Sequence, residues 1–217
     1  MQGLSWEPPS YNRVRKLPFI PTENEVDQLI GGCNKRMATF LQLLKETGAR
    51  CGEACKLRWI DIDTENPSVG ITPEKGSNPR ILRISPKLTS MLNALPKNGQ
   101  TLFPINTDVM RKSYQRQRRL IAYKMQNPRL MQISFHTLRH FKATMEYHKT
   151  KDILHVMQVL GHRNIDNTLV YTHLVNFKED DYTAKVAHSE QESCQLIEAG
   201  YDYVCEYGSN EIFRKRK

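Results

Sequence analysis

The spacing of apolar residues changes period twice along this chain, and that change limits the folds open to it. Thr22-Glu23-Asn24-Glu25 has the S/T-x-x-E form of a capping box, and Val26, Leu29 and Ile30 follow at helical spacing until Gly31-Gly32 stops the run. Met37, Phe40, Leu41 and Leu44 mark a second helix ending near Gly48, and a third, short one runs from about Arg50 to Leu57. Three β-type runs come next, over 59–63, 68–71 and 80–84, separated by Asn66-Pro67 and Gly76-Ser77-Asn78-Pro79. They predict a small antiparallel sheet with a tight turn after Lys75. Helical spacing returns at Lys87 and continues through Leu95, 108–124, 134–147, 152–160 and about 166–174. A further capping box at Ser189-Glu190-Gln191-Glu192 precedes Leu196 and Ile197, and 201–207 with 211–215 read as a terminal hairpin around Gly208-Ser209-Asn210. The expected fold is mainly α with a small antiparallel β-sheet (α+β). A Pro-rich arm over 1–21 leads into one domain over 22–190, with a helix and β-hairpin tail over 191–217.

Composition matters here through charge. The formal charge is +9, from 32 Lys and Arg against 23 Asp and Glu. Between Val109 and Met145 there is no Asp or Glu, but there are nine cations: Arg111, Lys112, Arg116, Arg118, Arg119, Lys124, Arg129, Arg139 and Lys142. The rest of the chain carries 23 of each sign and cancels. Tyr114, Tyr123 and Phe135 interleave with this basic segment. So polarised a field suits DNA or RNA, where every neutralised phosphate releases counterions. An anionic membrane surface fits less well, because the segment lacks the strong amphipathicity of an interfacial helix. No window approaches 18 uninterrupted apolar residues, and the start lacks a charged n-region and an apolar h-region, so neither a membrane span nor a signal peptide is expected. Five cysteines (Cys33, Cys51, Cys55, Cys194 and Cys205) without a C-x-x-C are the usage of a reducing compartment, and Cys51 and Cys55 read as packing residues of one helix.

Chemistry concentrates in His136-Thr137-Leu138-Arg139-His140, where the two histidines share a helix face. The metalloprotease form of H-x-x-x-H needs Glu after the first His; here it is Thr137, and no Cys or carboxylate nearby completes a ligand set. No metal and no cofactor are expected. Alone, this box would read as a capped helix with surface histidines. Two further boxes accompany it. One is Thr47-Gly48-Ala49-Arg50-Cys51-Gly52-Glu53-Ala54-Cys55-Lys56-Leu57-Arg58-Trp59-Ile60-Asp61. The other is Leu160-Gly161-His162-Arg163-Asn164-Ile165-Asp166-Asn167-Thr168-Leu169-Val170-Tyr171-Thr172-His173. In this order, and with nine residues from His162 to Tyr171, the three boxes resemble the catalytic domain of the tyrosine recombinase (phage integrase) family over about residues 18–180. The ending, Leu196-Ile197-Glu198-Ala199-Gly200-Tyr201-Asp202-Tyr203-Val204 and Phe213-Arg214-Lys215-Arg216-Lys217, looks like the tail of archaeal members.

The resemblance implies metal-free, ATP-free cutting and rejoining of DNA through a 3′-phosphotyrosine. Attack on a phosphodiester puts extra negative charge on the non-bridging oxygens, and fixed guanidiniums can hold two of them at once. By resemblance, Arg50 and Arg139 are those clamps, His136 and His162 are further donors, and Tyr171 is the nucleophile. Lys75, on the hairpin turn, would protonate the leaving 5′ oxygen. Glu53 and His140 would support the site, while Arg111, Lys112, Arg116, Arg118, Arg119, Lys124 and Arg129 would grip the DNA backbone, which sets position and not sequence.

The partner implied is double-stranded DNA, bound by a tetramer, with residues 176–217 as candidates for exchange between protomers and the cytoplasmic nucleoid as the place of work. The arm over 1–21 looks like a linker from an N-terminal DNA clamp. Two other readings stay open on sequence: a type IB topoisomerase-like relaxing enzyme, and a non-catalytic DNA-binding remnant of a split integrase.

Overall fold

Side-chain caps set where the helices begin. The hydroxyl of Thr22 accepts from the Glu25 amide at 3.2 Å while the Glu25 carboxylate accepts from the Thr22 amide at 2.8 Å, and α1 (Glu23–Gly32) starts there. Asn34 caps α2 (Lys35–Thr47), which ends at Gly48 in the left-handed region (φ 62°), a conformation glycine adopts without a Cβ clash. These details come from a computed structural model that describes residues 17–74, 76–174, 182–208 and 210–216. Its contacts divide the chain into two compact units, residues 1–175 and 176–217.

In the first unit α2 is the central element. Phe40, Leu41, Leu43 and Leu44 are fully buried, and with Met37, Ala38, Thr39 and Gln42 also buried the helix is enclosed over most of its length. It packs against α1, α4 (Pro86–Asn93) and α6 (Phe135–Thr150). The Phe40 ring stands edge-on to Phe103 at 5.0 Å and to Phe135 at 5.2 Å. The sheet follows the sequence reading: β1 (Ile62–Asp63), β2 (Ser68–Ile71) and β3 (Arg80–Arg83) lie antiparallel in that order, with Val69 opposite both Ile62 and Leu82. The first β-type run is shorter than expected, because Trp59–Asp61 is a 3₁₀ turn. The Asp61 carboxylate accepts from the Arg58 amide at 2.8 Å and winds the chain before it can pair.

Among the described residues the remaining elements of this unit are α3 (Cys51–Cys55), α5 (Thr107–Lys124), a 3₁₀ turn over Pro128–Gln132, α7 (Ile153–Leu160) and α8 (Asp166–Leu169). The helix expected over 166–174 is therefore divided: α8 passes into a 3₁₀ turn, Val170–His173, closed by Leu174 N–H donating to the Tyr171 carbonyl at 3.2 Å. The cysteines are free, and Cys51 and Cys55 pack half-buried against the core as the sequence suggests.

The division by contacts falls at 175, and the sequence reading puts its boundary at 190. Strand β4 (Tyr182–Ala187) pairs with residues 211–216 of β6 (Asn210–Arg216) and lies in the second unit. The sequence hid it because the face bearing buried Ala187 also bears Lys185, which breaks the apolar alternation. β6 is the middle strand, with β5 (Asp202–Tyr207) on its other side, and α9 (Glu190–Glu198) starts from the Ser189 cap. The expected hairpin between β5 and β6 is present, with a bulge between Tyr203 and Cys205. No helix among the described residues is long and apolar enough to cross a membrane.

Phe40 fills the centre of the first unit, so Phe40→Ala should leave a cavity and cost about 3 to 5 kcal/mol. Urea unfolding of both proteins checks this; a loss below about 1 kcal/mol would show that Phe40 is not central.

Candidate active site

The first of the three boxes builds a charged chain. Arg50 sits at the N-cap of α3, and its amide donates to the Glu53 carboxylate at 2.9 Å. Its guanidinium donates to the same carboxylate at 3.0 Å and also to the Ser77 hydroxyl on the β2–β3 connection. Glu53 is buried and takes a second guanidinium, that of Arg80, at 2.7 Å. Burial works to raise the Glu53 pKa, but the bonds from Arg80 and Arg50 outweigh it and hold the carboxyl below its ordinary range. Arg80 was not singled out by the sequence reading.

The second box places Arg139 in the interior, 2% exposed. One terminal nitrogen donates to the Gly48 carbonyl and the other to the Leu160 carbonyl, each at 2.6 Å. It therefore ties the start of the first box to the end of α7 while it lines the pocket described below. Burial first, then the charges of Arg50 and Arg80, bring its pKa down to about 10, so it remains a cation at neutral pH. His136 lies one helical turn away with solvent-facing surface, and burial of its ring followed by Arg139 and Arg50 lowers its pKa. An open pocket of about 470 Å³ has Arg50, His136 and Arg139 in its wall. Glu74 also stands in the wall, paired with Lys56 at 2.5 Å.

From the third box, His162 follows Gly161, the left-handed end of α7, and shares its Nδ1 with the Thr168 hydroxyl at 2.9 Å. Burial, then Arg139, Arg50, Arg80 and His136, push its pKa down to about 4. Tyr171 is 2% exposed and packs with Ala143, Val156 and Leu160. Its hydroxyl meets Nδ1 of His140 at 3.0 Å, a contact the sequence reading did not foresee for a residue given only a supporting part. His140 in turn stands edge-on to His136, with ring centres 4.5 Å apart. Burial, then His136 and Arg139, lower the His140 pKa to about 4, so its ring is neutral at pH 7. The Tyr171 pKa moves the other way: burial raises it, and the opposing pull of Arg139 and Arg50 does not reverse that. Cations near Tyr171 were expected from its proposed part as nucleophile; they are present, but desolvation exceeds them.

Lys75 lies outside the described residues; its neighbour Gly76 has φ 70°, in keeping with the expected turn. Among the basic residues expected on DNA, Arg111 and Arg118 line the same pocket wall from α5, together with Gln115. Lys112, Arg116, Arg119 and Lys124 are exposed on α5. Three of the seven have partners within the protein, Arg111 among them through the Asp108 carboxylate at 3.3 Å. Arg129 donates to Glu25 at 2.6 Å and covers the Phe19 ring, and Arg118 donates to the Ile133 carbonyl at 2.6 Å and lies over Tyr114. Among the described residues no group of three or more His, Cys, Asp or Glu side chains is arranged to hold a metal ion.

Residues 21–177 match the Phage integrase family. A "Tyrosine recombinase" of Thermosipho africanus is 30% identical over 205 residues, covering 86% of this chain and 70% of its own length. "Tyrosine recombinase XerA" of Saccharolobus solfataricus is 24% identical, covering 80% of this chain and 58% of its own. Among solved structures, that of XerA recombinase superposes with a TM-score of 0.62 at 25% identity over 76% of this chain and 63% of its own. The catalytic domain of bacteriophage HP1 integrase does so with a TM-score of 0.55 at 23% identity, over 85% and 96% respectively.

Of the three histidines with lowered pKa, His140 and His162 fall to about 4 and carry a pH dependence. Between their ordinary value of 6.5 and about 4, the unfolded chain binds protons on His140 and His162 that the folded chain does not. Stability is therefore full above that window and falls as the pH drops through it. Thermal unfolding from about pH 7 to about pH 4.5 should show a steeper loss of Tm for the wild type than for His140→Asn/His162→Asn. Equal slopes would mean that neither ring is held neutral by the fold.

Proposed function

Because the chain belongs to the Phage integrase family, we propose that it carries out DNA strand cleavage and rejoining as part of a site-specific tyrosine recombinase. The chain spans 70% of the Thermosipho relative and 58% of the Saccharolobus one. The observation that carries the reading is convergence: Arg50, Arg139 and His136 border one pocket, and the charges of both arginines act on His162 and on Tyr171.

In this reading the non-bridging oxygens of a backbone phosphate take hydrogen bonds from Arg50 and Arg139, with His136 and His162 as further donors. Both histidines are neutral by their lowered pKa, so each presents an N–H that gains strength as charge develops on the phosphate. The Tyr171 oxygen forms a bond to phosphorus, the phosphorus–O5′ bond breaks, and the phenolic proton passes to Nδ1 of His140, which the hydroxyl meets at 3.0 Å. The 5′ oxygen receives a proton, and Lys75 is proposed as its donor. The energy of the broken ester is kept in the phosphotyrosine, so a 5′ hydroxyl can attack and reseal without ATP.

Burial keeps Tyr171 protonated until it meets the phosphate, and the bond to His140 fixes the direction of its hydroxyl. The exposed cations of α5 would hold the flanking backbone. A XerH structure similar to this fold is described as bound to a difH substrate, which agrees with double-stranded DNA as the partner here. Assembly as a tetramer, with exchange of a segment within 176–217, belongs to the same proposal. The names of the relatives favour strand exchange over topoisomerase-like relaxation.

A nicked suicide substrate tests it. Wild type should form a covalent protein–DNA adduct and Tyr171→Phe none, while Arg50→Ala should slow adduct formation at least about a hundredfold with DNA binding largely kept. EDTA should leave the wild-type rate unchanged. An adduct from Tyr171→Phe, or loss of activity with EDTA that Mg²⁺ or Zn²⁺ restores, would overturn the mechanism.

A further inference from the structure

Strand β3 is turned opposite to its hydropathy. Ile81 points outward, 78% exposed, while its neighbour Arg80 is turned inward and only 9% exposed. Period-2 geometry gives one of the two the inner face, and transfer energies favour isoleucine there. Moreover, Arg80 lacks a full set of acceptors: Nε and Nη1 are buried with no hydrogen-bond partner among the described residues. A buried ion pair with orphaned donors is weak as a source of stability, since both charges have lost their hydration. Its position therefore calls for another reason.

Two connections supply one. Through Nη2 the Arg80 guanidinium reaches Glu53 at 2.7 Å, and Glu53 is the carboxylate that also holds Arg50. On its other side Arg80 lies against Gly161, where an added Cβ would stand 2.9 Å from Nη1 and 2.7 Å from the Asn78 carbonyl. The Asn78 amide donates to the Gly161 carbonyl at 2.9 Å, so the hairpin is tied to the loop that presents His162. Glu53 alone with Arg50 would form a nearly neutral pair, and a guanidinium so compensated has little positive field left for a phosphate. With Arg80 present, the three groups together carry a net positive charge.

We propose that Arg80 is a positioning residue for the cleavage reaction: it neutralises Glu53 from the interior, leaving the charge of Arg50 directed into the pocket while Glu53 fixes its orientation. This rests on the recombinase reading above and adds to it a residue that does not itself border the pocket. Lysine at this place would keep the charge, methionine would remove it, and pairing methionine with Glu53→Gln would remove the need for it.

Single-turnover adduct formation on the nicked substrate, with DNA affinity and Tm measured in parallel, separates the cases. Arg80→Met should slow adduct formation by about thirtyfold or more per folded molecule with DNA affinity within about threefold, and Arg80→Lys should lose less than about fivefold. Glu53→Gln/Arg80→Met should recover at least about tenfold over Arg80→Met, or, if that variant does not fold, cleave within about tenfold of wild type. A merely structural role would lower Tm without this rate pattern. Arg80→Met cleaving at the wild-type rate, or a double variant as slow as the single one, overturns the proposal and leaves the recombinase reading intact. Absence of any adduct from wild type overturns both.

Discussion

A carboxylate with almost no exposed surface, held between two guanidiniums, is the constraint on which the rest of the site depends. Glu53 fixes the start of α3 by accepting the Arg50 amide, fixes Arg50 itself, and receives Arg80 from the sheet. One side chain thus joins a helix terminus, a pocket wall and a strand. Burial lowers the pKa of Arg139 and of the histidines beside it, and the positive charge of the neighbouring arginines lowers each of them further. Like charges are normally kept apart by folding. Here the fold gathers them and offsets only part of the charge, which is what a site for a dianionic transition state requires.

The same economy governs Tyr171. Its phenol is buried and bonded to a neutral imidazole, which in the proposed mechanism withholds its reactivity until a phosphate approaches. Arg139 serves two ends at once, since its contacts with the Gly48 and Leu160 carbonyls connect the first box to the third while its charge acts on Tyr171. Gly48 and Leu160, more than a hundred positions apart in sequence, are joined by one interior cation that bonds to the backbone of each.

Much of this was legible beforehand, for definite reasons. Caps at Thr22, Ser134 and Ser189 are local hydrogen-bonding motifs, so the helices they begin could be placed from a few residues. The basic segment over 109–145 was visible as a run without acids, although Arg129 turned out to be engaged by Glu25, more than a hundred positions away and beyond any local pattern. Arg80 was hidden because an arginine beside isoleucine on a short strand reads as its solvated face, and only the distant carboxylate of Glu53 turns it inward. The link between His140 and Tyr171 was hidden in the same way: the third box fixes the spacing from His162 to Tyr171, while the phenol's partner comes from a different helix. Strand β4 escaped because exposed Lys185 interrupts its alternation and its partner strand lies more than twenty positions further on. In each case the missing information was a long-range contact.

The central claim is that the two guanidiniums, the two imidazoles and the phenol converge on one phosphorus. A crystal structure with duplex DNA and vanadate in place of the scissile phosphate measures this directly. The account requires the vanadium to be bonded to the Tyr171 oxygen, with Arg50 and Arg139 nitrogens within about 3 Å of its equatorial oxygens. A vanadate bound elsewhere, or bonded to Tyr171 with both arginines turned away, would contradict it.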